Sequence, residues 1–288
     1  MQQNLETTDY LAKIIKMPRG IILNRVSWNT FVLVLFLCFC SPHAYTQTPF
    51  NTDNTDVTEK DKFHLEITNE YDRLQPTSSP DTFQNGTRLT VAYGLIKNVE
   101  ISLTGQYLGL GSSQHPRLIG GVGDTTLGVK YNFYKENRDS ILPGLTISSY
   151  VQFPTGSVRR GLGTGIRDVG INGIAQKSFS KNNIFRVNGG ILFSGNTLTG
   201  VIGIAKVRGK VFTGGFSYVR TISEKLQLGG EITGAVAGSF QLSKGQLQTQ
   251  LGGNYQVGKN TTLDFGLIAG RFAASPRIGL VLGFSHDF

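Results

Sequence analysis

The C-terminal stretch constrains this chain more than any other. Ile278 to Phe288 reads I-G-L-V-L-G-F-S-H-D-F, with Ile278, Leu280, Leu282, Phe284 and Phe288 alternating with mostly small or polar residues. A period of two sends successive side chains to opposite faces of a strand, so this strand meets two different environments. It also ends the protein, and nothing follows that would cover an apolar face. The pattern is that of the closing strand of a transmembrane antiparallel β-barrel. Phe284 and the terminal Phe288 resemble the signal read by the bacterial barrel-assembly machinery, and His286 is the one departure from the apolar positions.

The same period returns along the chain. Phe63, Leu65 and Ile67 alternate with His64, Glu66 and Thr68; Leu127, Val129, Tyr131 and Phe133 enclose Gly128, Lys130 and Asn132. In Gln246 to Val257 the amides Gln246, Gln248, Gln250, Asn254 and Gln256 oppose Leu247, Leu251, Tyr255 and Val257. Such runs approach the roughly 9 to 11 residues that a tilted strand needs to cross a bilayer. They predict about 12 strands, an even number as single-chain bacterial barrels require. Short connections, such as Ile96 to Asn98 and Gly258 to Asn260, alternate with longer ones at Asp72–Gly86, Gly109–Gly123, Pro154–Arg167, Ser194–Lys206 and Gly238–Lys244. Short periplasmic turns and long outer loops put both ends of the barrel in the periplasm.

Composition agrees. Mean hydropathy is only −0.09, as expected when every second residue faces lipid. No stretch reaches the roughly 20 apolar residues of a spanning helix. Phe31 to Cys40 is an apolar run of signal-peptide length, preceded by Lys13, Lys16, Arg19 and Arg25. Residues 1–46 therefore read as a signal peptide of a Gram-negative outer-membrane protein, with Met17 as an alternative start. Cleavage there removes Cys38 and Cys40, the only two cysteines, and leaves no thiol chemistry. Residues 47–62 are polar, lack alternation and read as a periplasmic tail; the barrel runs from 63 to 288.

The formal charge of +9 is spread along the chain and excludes a nucleic-acid reading. Gly120-Gly121-Val122-Gly123-Asp124 and Gly161-Leu162-Gly163-Thr164-Gly165 lack the Gly-Lys-Ser/Thr end of a phosphate loop, so they are read as structural loops. No His, Cys and carboxylate cluster has metal-site spacing, and no cofactor is expected. A lipid-hydrolysing barrel would need a partnered His/Ser pair; His115 beside Ser112 and Ser113 shows no partner in sequence, so an enzyme is not expected.

Gly121-Val122-Gly123-Asp124-Thr125-Thr126-Leu127-Gly128-Val129-Lys130-Tyr131, then Phe153-Pro154-Thr155-Gly156 and Gly163-Thr164-Gly165 leading into Asp168, resemble the outer-membrane transporter family named after the meta-cleavage pathway of phenol degradation. The resemblance spans roughly the whole barrel. It implies a monomeric barrel passing small molecules, often hydrophobic or aromatic, by passive diffusion. The alternative is a closed structural or surface-binding barrel.

On this register Glu66, Glu70, Arg88, Glu100, Lys130, Asp168, Arg186, Glu231, Asp264 and Arg277 point inward as selectivity candidates. They read equally as charged constrictions or as a network that fills the lumen, because about 8 strands leave a packed interior and 16 to 18 a channel. Pro154, Gly156, Arg159, Arg160 and Arg167 are the outer-loop candidates, the arginines being read as partners of lipopolysaccharide phosphates ahead of anionic solutes.

Overall fold

The computed structural model describes residues 49–78, 81–113, 118–137, 140–194, 209–237 and 245–288. Among these residues there is no α-helix, and thirteen strands form: β1 Phe63–Arg73, β2 Asp81–Ile96, β3 Val99–Ser112, β4 Ile119–Val122, β5 Thr125–Tyr134, β6 Gly144–Phe153, β7 Asp168–Ser180, β8 Asn183–Ser194, β9 Gly209–Thr221, β10 Leu226–Ala237, β11 Gln246–Gln256, β12 Thr261–Gly270 and β13 Ile278–Asp287. Neighbours pair antiparallel in chain order, and β1 pairs with both β2 and β13, which closes the sheet into a barrel.

β4 and β5 are two parts of one stave. β3 pairs with β5 through Thr104↔Thr126 and with β4 from Tyr107↔Val122 onward. Gly105 and Gln106 thus oppose the three residues Gly123, Asp124 and Thr125, and the Gly123 N–H donates to the Gln106 carbonyl at 2.9 Å. Two against three is a β-bulge, which re-aims the side chains beside it. Counting β4 and β5 together, the wall has the twelve strands that the alternation predicts.

The faces sort as the two solvents demand. Leu263, Phe265 and Leu267 of β12 are exposed outside, and Thr262, Asp264 and Ile268 are buried inside. Phe284 and Phe288 both face outward. A closed barrel with an apolar exterior and a polar interior satisfies every ladder group without water, so it crosses a bilayer. Two polar side chains fall at lipid-facing positions of the alternation, Lys177 and His286, and both find local contacts. Lys177, near its strand end, donates to the carbonyls of Asn137 and Ser140 and pairs with Glu136 at 3.0 Å. His286 is buried against Phe288, its Nδ1 2.9 Å from the Thr261 hydroxyl.

The first outer loop is shorter than expected, because β1 and β2 continue to Arg73 and from Asp81. Polar cross-strand bonds carry that extension: Asn69 Nδ2 donates to Asn85 Oδ1 and Thr87 Oγ1, and Gln84 Nε2 to Asp72 Oδ2. Such a ladder needs no apolar alternation, so periodicity does not reveal it. Most of the loops at 194–206 and 238–244, and His115 with them, lie outside the described residues.

The larger departure concerns residues 49–62. They do not form a solvated tail: Phe50, Thr52, Asn54 and Thr55 are buried. From β1 the segment folds back at the barrel end that carries the short turns, where Asp61 N–H donates to the Gly94 carbonyl, and it crosses the lumen until the Pro49 carbonyl accepts from Gln250 Nε2 of β11 at 2.7 Å. Threonine, asparagine and aspartate find partners on an inward barrel face, so the segment is enclosed without stranding its polar groups.

Candidate functional site

The candidate site is the lumen, and three clamps hold the N-terminal segment inside it. Glu231 on β10 accepts from the Asn51 N–H at 2.8 Å through one oxygen, and from the Thr52 N–H and hydroxyl at 2.8 and 2.7 Å through the other. Glu100 on β3 accepts from the Thr58 N–H and hydroxyl, both at 2.7 Å. Lys130 on β5 donates to Asp53 Oδ1 at 2.8 Å and to Asn54 Oδ1 at 3.1 Å. The Thr55 carbonyl also accepts from Asn132 Nδ2 and Thr146 Oγ1, at 2.7 and 2.8 Å. Each carboxylate thereby replaces its lost hydration with two or three charge-assisted bonds.

Inward glycine at 94 makes room for the segment. A Cβ there would overlap the Glu59 and Thr58 carbonyl oxygens, so only a bare α-carbon lets the two backbones touch. Asp56 sits in the same packed layer and has its pKa raised, chiefly by burial; Lys130, Arg186 and Lys135 offset part of this and Asp53 adds to it.

The structure distributes the expected lumen residues unevenly. Glu100, Lys130 and Glu231 hold the inserted segment. Arg186 is buried and donates through Nε to Gln176 Oε1 at 3.0 Å, and Asp264 accepts from Asn254 at 3.2 Å. Asp168 is buried on β7. Arg88 pairs with Glu70 at 2.6 Å, and Glu66 accepts from the Thr68 hydroxyl at 3.0 Å. Arg277, in the turn ahead of β13, is exposed.

Open space remains on both sides of the inserted segment. Two cavities of about 450 and 500 Å³ share Asp53, Glu66, Glu70 and Arg88, while a third of about 520 Å³ is lined by Asn54 to Val57 with Lys135, Gln176 and Arg186. Polar and apolar surface contribute nearly equally to these walls, with Phe50, Ile171, Ile191 and Leu192 beside amides, hydroxyls and carboxylates.

The loop between β6 and β7 also turns into the barrel. Gly156 packs there and Leu162 is 1% exposed, whereas Pro154, Arg159, Arg160 and Arg167 stay at the surface. Arg160 donates to the Gly120 carbonyl at 2.6 Å, and the Arg167 guanidinium lies 5.9 Å from the centre of the Phe153 ring. Two of the three loop arginines are thus engaged by the protein itself. Sequence reasoning overlooked Asp53, Asn54 and Thr55 and read Asp124 only as part of a loop, since nothing in one dimension places them opposite an inward face.

No family model and no curated protein matches the chain. Solved structures do match in fold. The COG4313 outer membrane channel from Pseudomonas putida F1 superposes with a TM-score of 0.61 at 15% identity, covering 83% of this chain and 99% of the channel. The KdgM porin gives 0.51 at 10% identity, with 78% of this chain and 99% of the porin covered. The NanC porin gives 0.52 at 11%, with 77% and 98% covered. At these identities the likeness establishes the barrel architecture, which the strand pairing also shows.

Proposed function

We propose that this protein is an outer-membrane channel for the passive diffusion of small molecules, closed in the structure by its own N-terminal segment. The observation that carries this reading is the position of residues 49–59 between cavities of 450 to 520 Å³ inside a polar lumen. Likeness in fold to a COG4313 channel and two porins supports the reading, as does the resemblance to the phenol meta-pathway transporter family. The mixed polar and apolar lining is compatible with small amphipathic or aromatic solutes of the kind that the resemblance implies. In this reading the protein is a monomer and not an enzyme, reaches the membrane through the assembly machinery, and sets Arg159 against lipopolysaccharide phosphates.

The decisive measurement is planar-bilayer conductance of the refolded chain beside the Glu100→Gln/Glu231→Gln variant. Each Gln keeps one acceptor oxygen but loses the charge, and hydrogen bonds to charged groups are worth about 1.5–3 kcal/mol against about 0.5–1.5 for neutral ones. Larger or more frequent conductance steps in the variant are expected. Silence from both barrels, each shown to be folded, would reject the channel.

A further inference from the structure

We infer that Asp124 is the residue that positions the 154–167 loop inside the outer mouth, making that loop the outer constriction of the pore. The inference rests on the channel reading but not on the N-terminal segment. Asp124 sits at the bulge between β4 and β5, is buried, and faces the 450 Å³ cavity. Its carboxylate accepts from the Gly156 N–H at 2.9 Å, the Thr164 N–H at 2.8 Å, the Thr164 hydroxyl at 3.1 Å and Gln152 Nε2 at 3.2 Å. Both ends of the loop thus converge on one side chain. A Cβ on Gly163 would overlap the Asp124 carboxylate, and one on Gly156 would overlap the Leu162 carbonyl. The Gly-Asp and Gly-Thr-Gly motifs, which sequence alone leaves as loop punctuation, are the two halves of this contact. Bulges re-aim side chains in this way, and the loop bends around the carboxylate much as backbone N–H groups surround a bound anion.

The test uses the refolded full chain and its Asp124→Asn, Asp124→Ala and Gly163→Ala variants, each shown to be a folded barrel by its heat-dependent gel mobility. Trypsin cleavage after Arg159, Arg160 or Arg167 is followed beside the uptake of neutral sugars of graded size into liposomes. Cleavage at least tenfold faster in Asp124→Ala and Gly163→Ala, with Asp124→Asn between them and wild type and with larger sugars admitted, is expected. Unchanged cleavage in the folded variants overturns the inference, as does faster cleavage with an unchanged size limit in a barrel that conducts. Uptake is measured with each variant combined with Glu100→Gln/Glu231→Gln, which loosens the N-terminal segment; absence of uptake in all of these released barrels rejects the channel reading, and cleavage rates then decide the positioning role alone.

Discussion

At the scale of the residue, the lumen is governed by what happens to charge when water is excluded. Asp56 is the clearest case, because burial disfavours its ionised form more than Lys130, Arg186 and Lys135 restore it. With the pKa higher in the inserted segment than in a released one, the inserted state binds the proton more tightly. Insertion is therefore strengthened as pH falls from above the raised value toward the ordinary carboxylate range, and weakened as pH rises. Conductance steps should therefore become rarer as pH falls. Asp56→Asn should flatten that dependence, which isolates this group from Asp53, Glu100 and Glu231; an unchanged slope would remove Asp56 from the account. Lys130→Met tests the opposite charge. It removes the ammonium that pairs with Asp53 at 2.8 Å, a kind of loss that costs about 3–5 kcal/mol at fully buried pairs and less where one partner, as here, is partly exposed. A higher open probability, read in the same bilayers, is the expected result.

At the scale of the element, the strands were legible and the inserted segment was not. A strand with lipid on one side must show a period of two, so β12 and β13 can be read directly from Leu263, Phe265 and Leu267 or from Leu280, Leu282 and Phe284. Residues 49–62 carry no period, because every side chain of a segment enclosed by the barrel meets polar wall or water. Their composition is that of a solvated tail, and only the three-dimensional placement of Glu100, Lys130 and Glu231 distinguishes the two. Asp124 was read only as part of a structural loop for a related reason: the bulge changes the inward parity between β4 and β5, and a one-residue shift exchanges the faces of a strand. Gly94→Val offers a test at this scale. Its side chain would overlap the backbone of Thr58 and Glu59, so it should displace the segment while leaving the ladder between β2 and β3 intact. Conductance should rise while the barrel keeps its strand content by circular dichroism; loss of the barrel itself would show that the segment is part of the folding core.

At the scale of the whole molecule, the barrel is a boundary between two solvents, and that boundary can be mapped. Leu251 is 70% exposed on the outer face and Gln250 is 1% exposed on the inner one, though they adjoin in sequence. Nitroxide labels at the two positions should separate: the first relaxed by oxygen dissolved in lipid, the second protected from it. A reversed result would invert the register. Lipid contact, strand number and the direction of the staves follow from alternation alone, because it is a local consequence of facing oil and water. Whether a twelve-stranded wall encloses an open pore was decided only in three dimensions. That outcome depends on carboxylates and an ammonium far apart in the chain converging on one polar segment, and hydrogen bonds between such distant partners leave no periodic mark on the sequence that makes them.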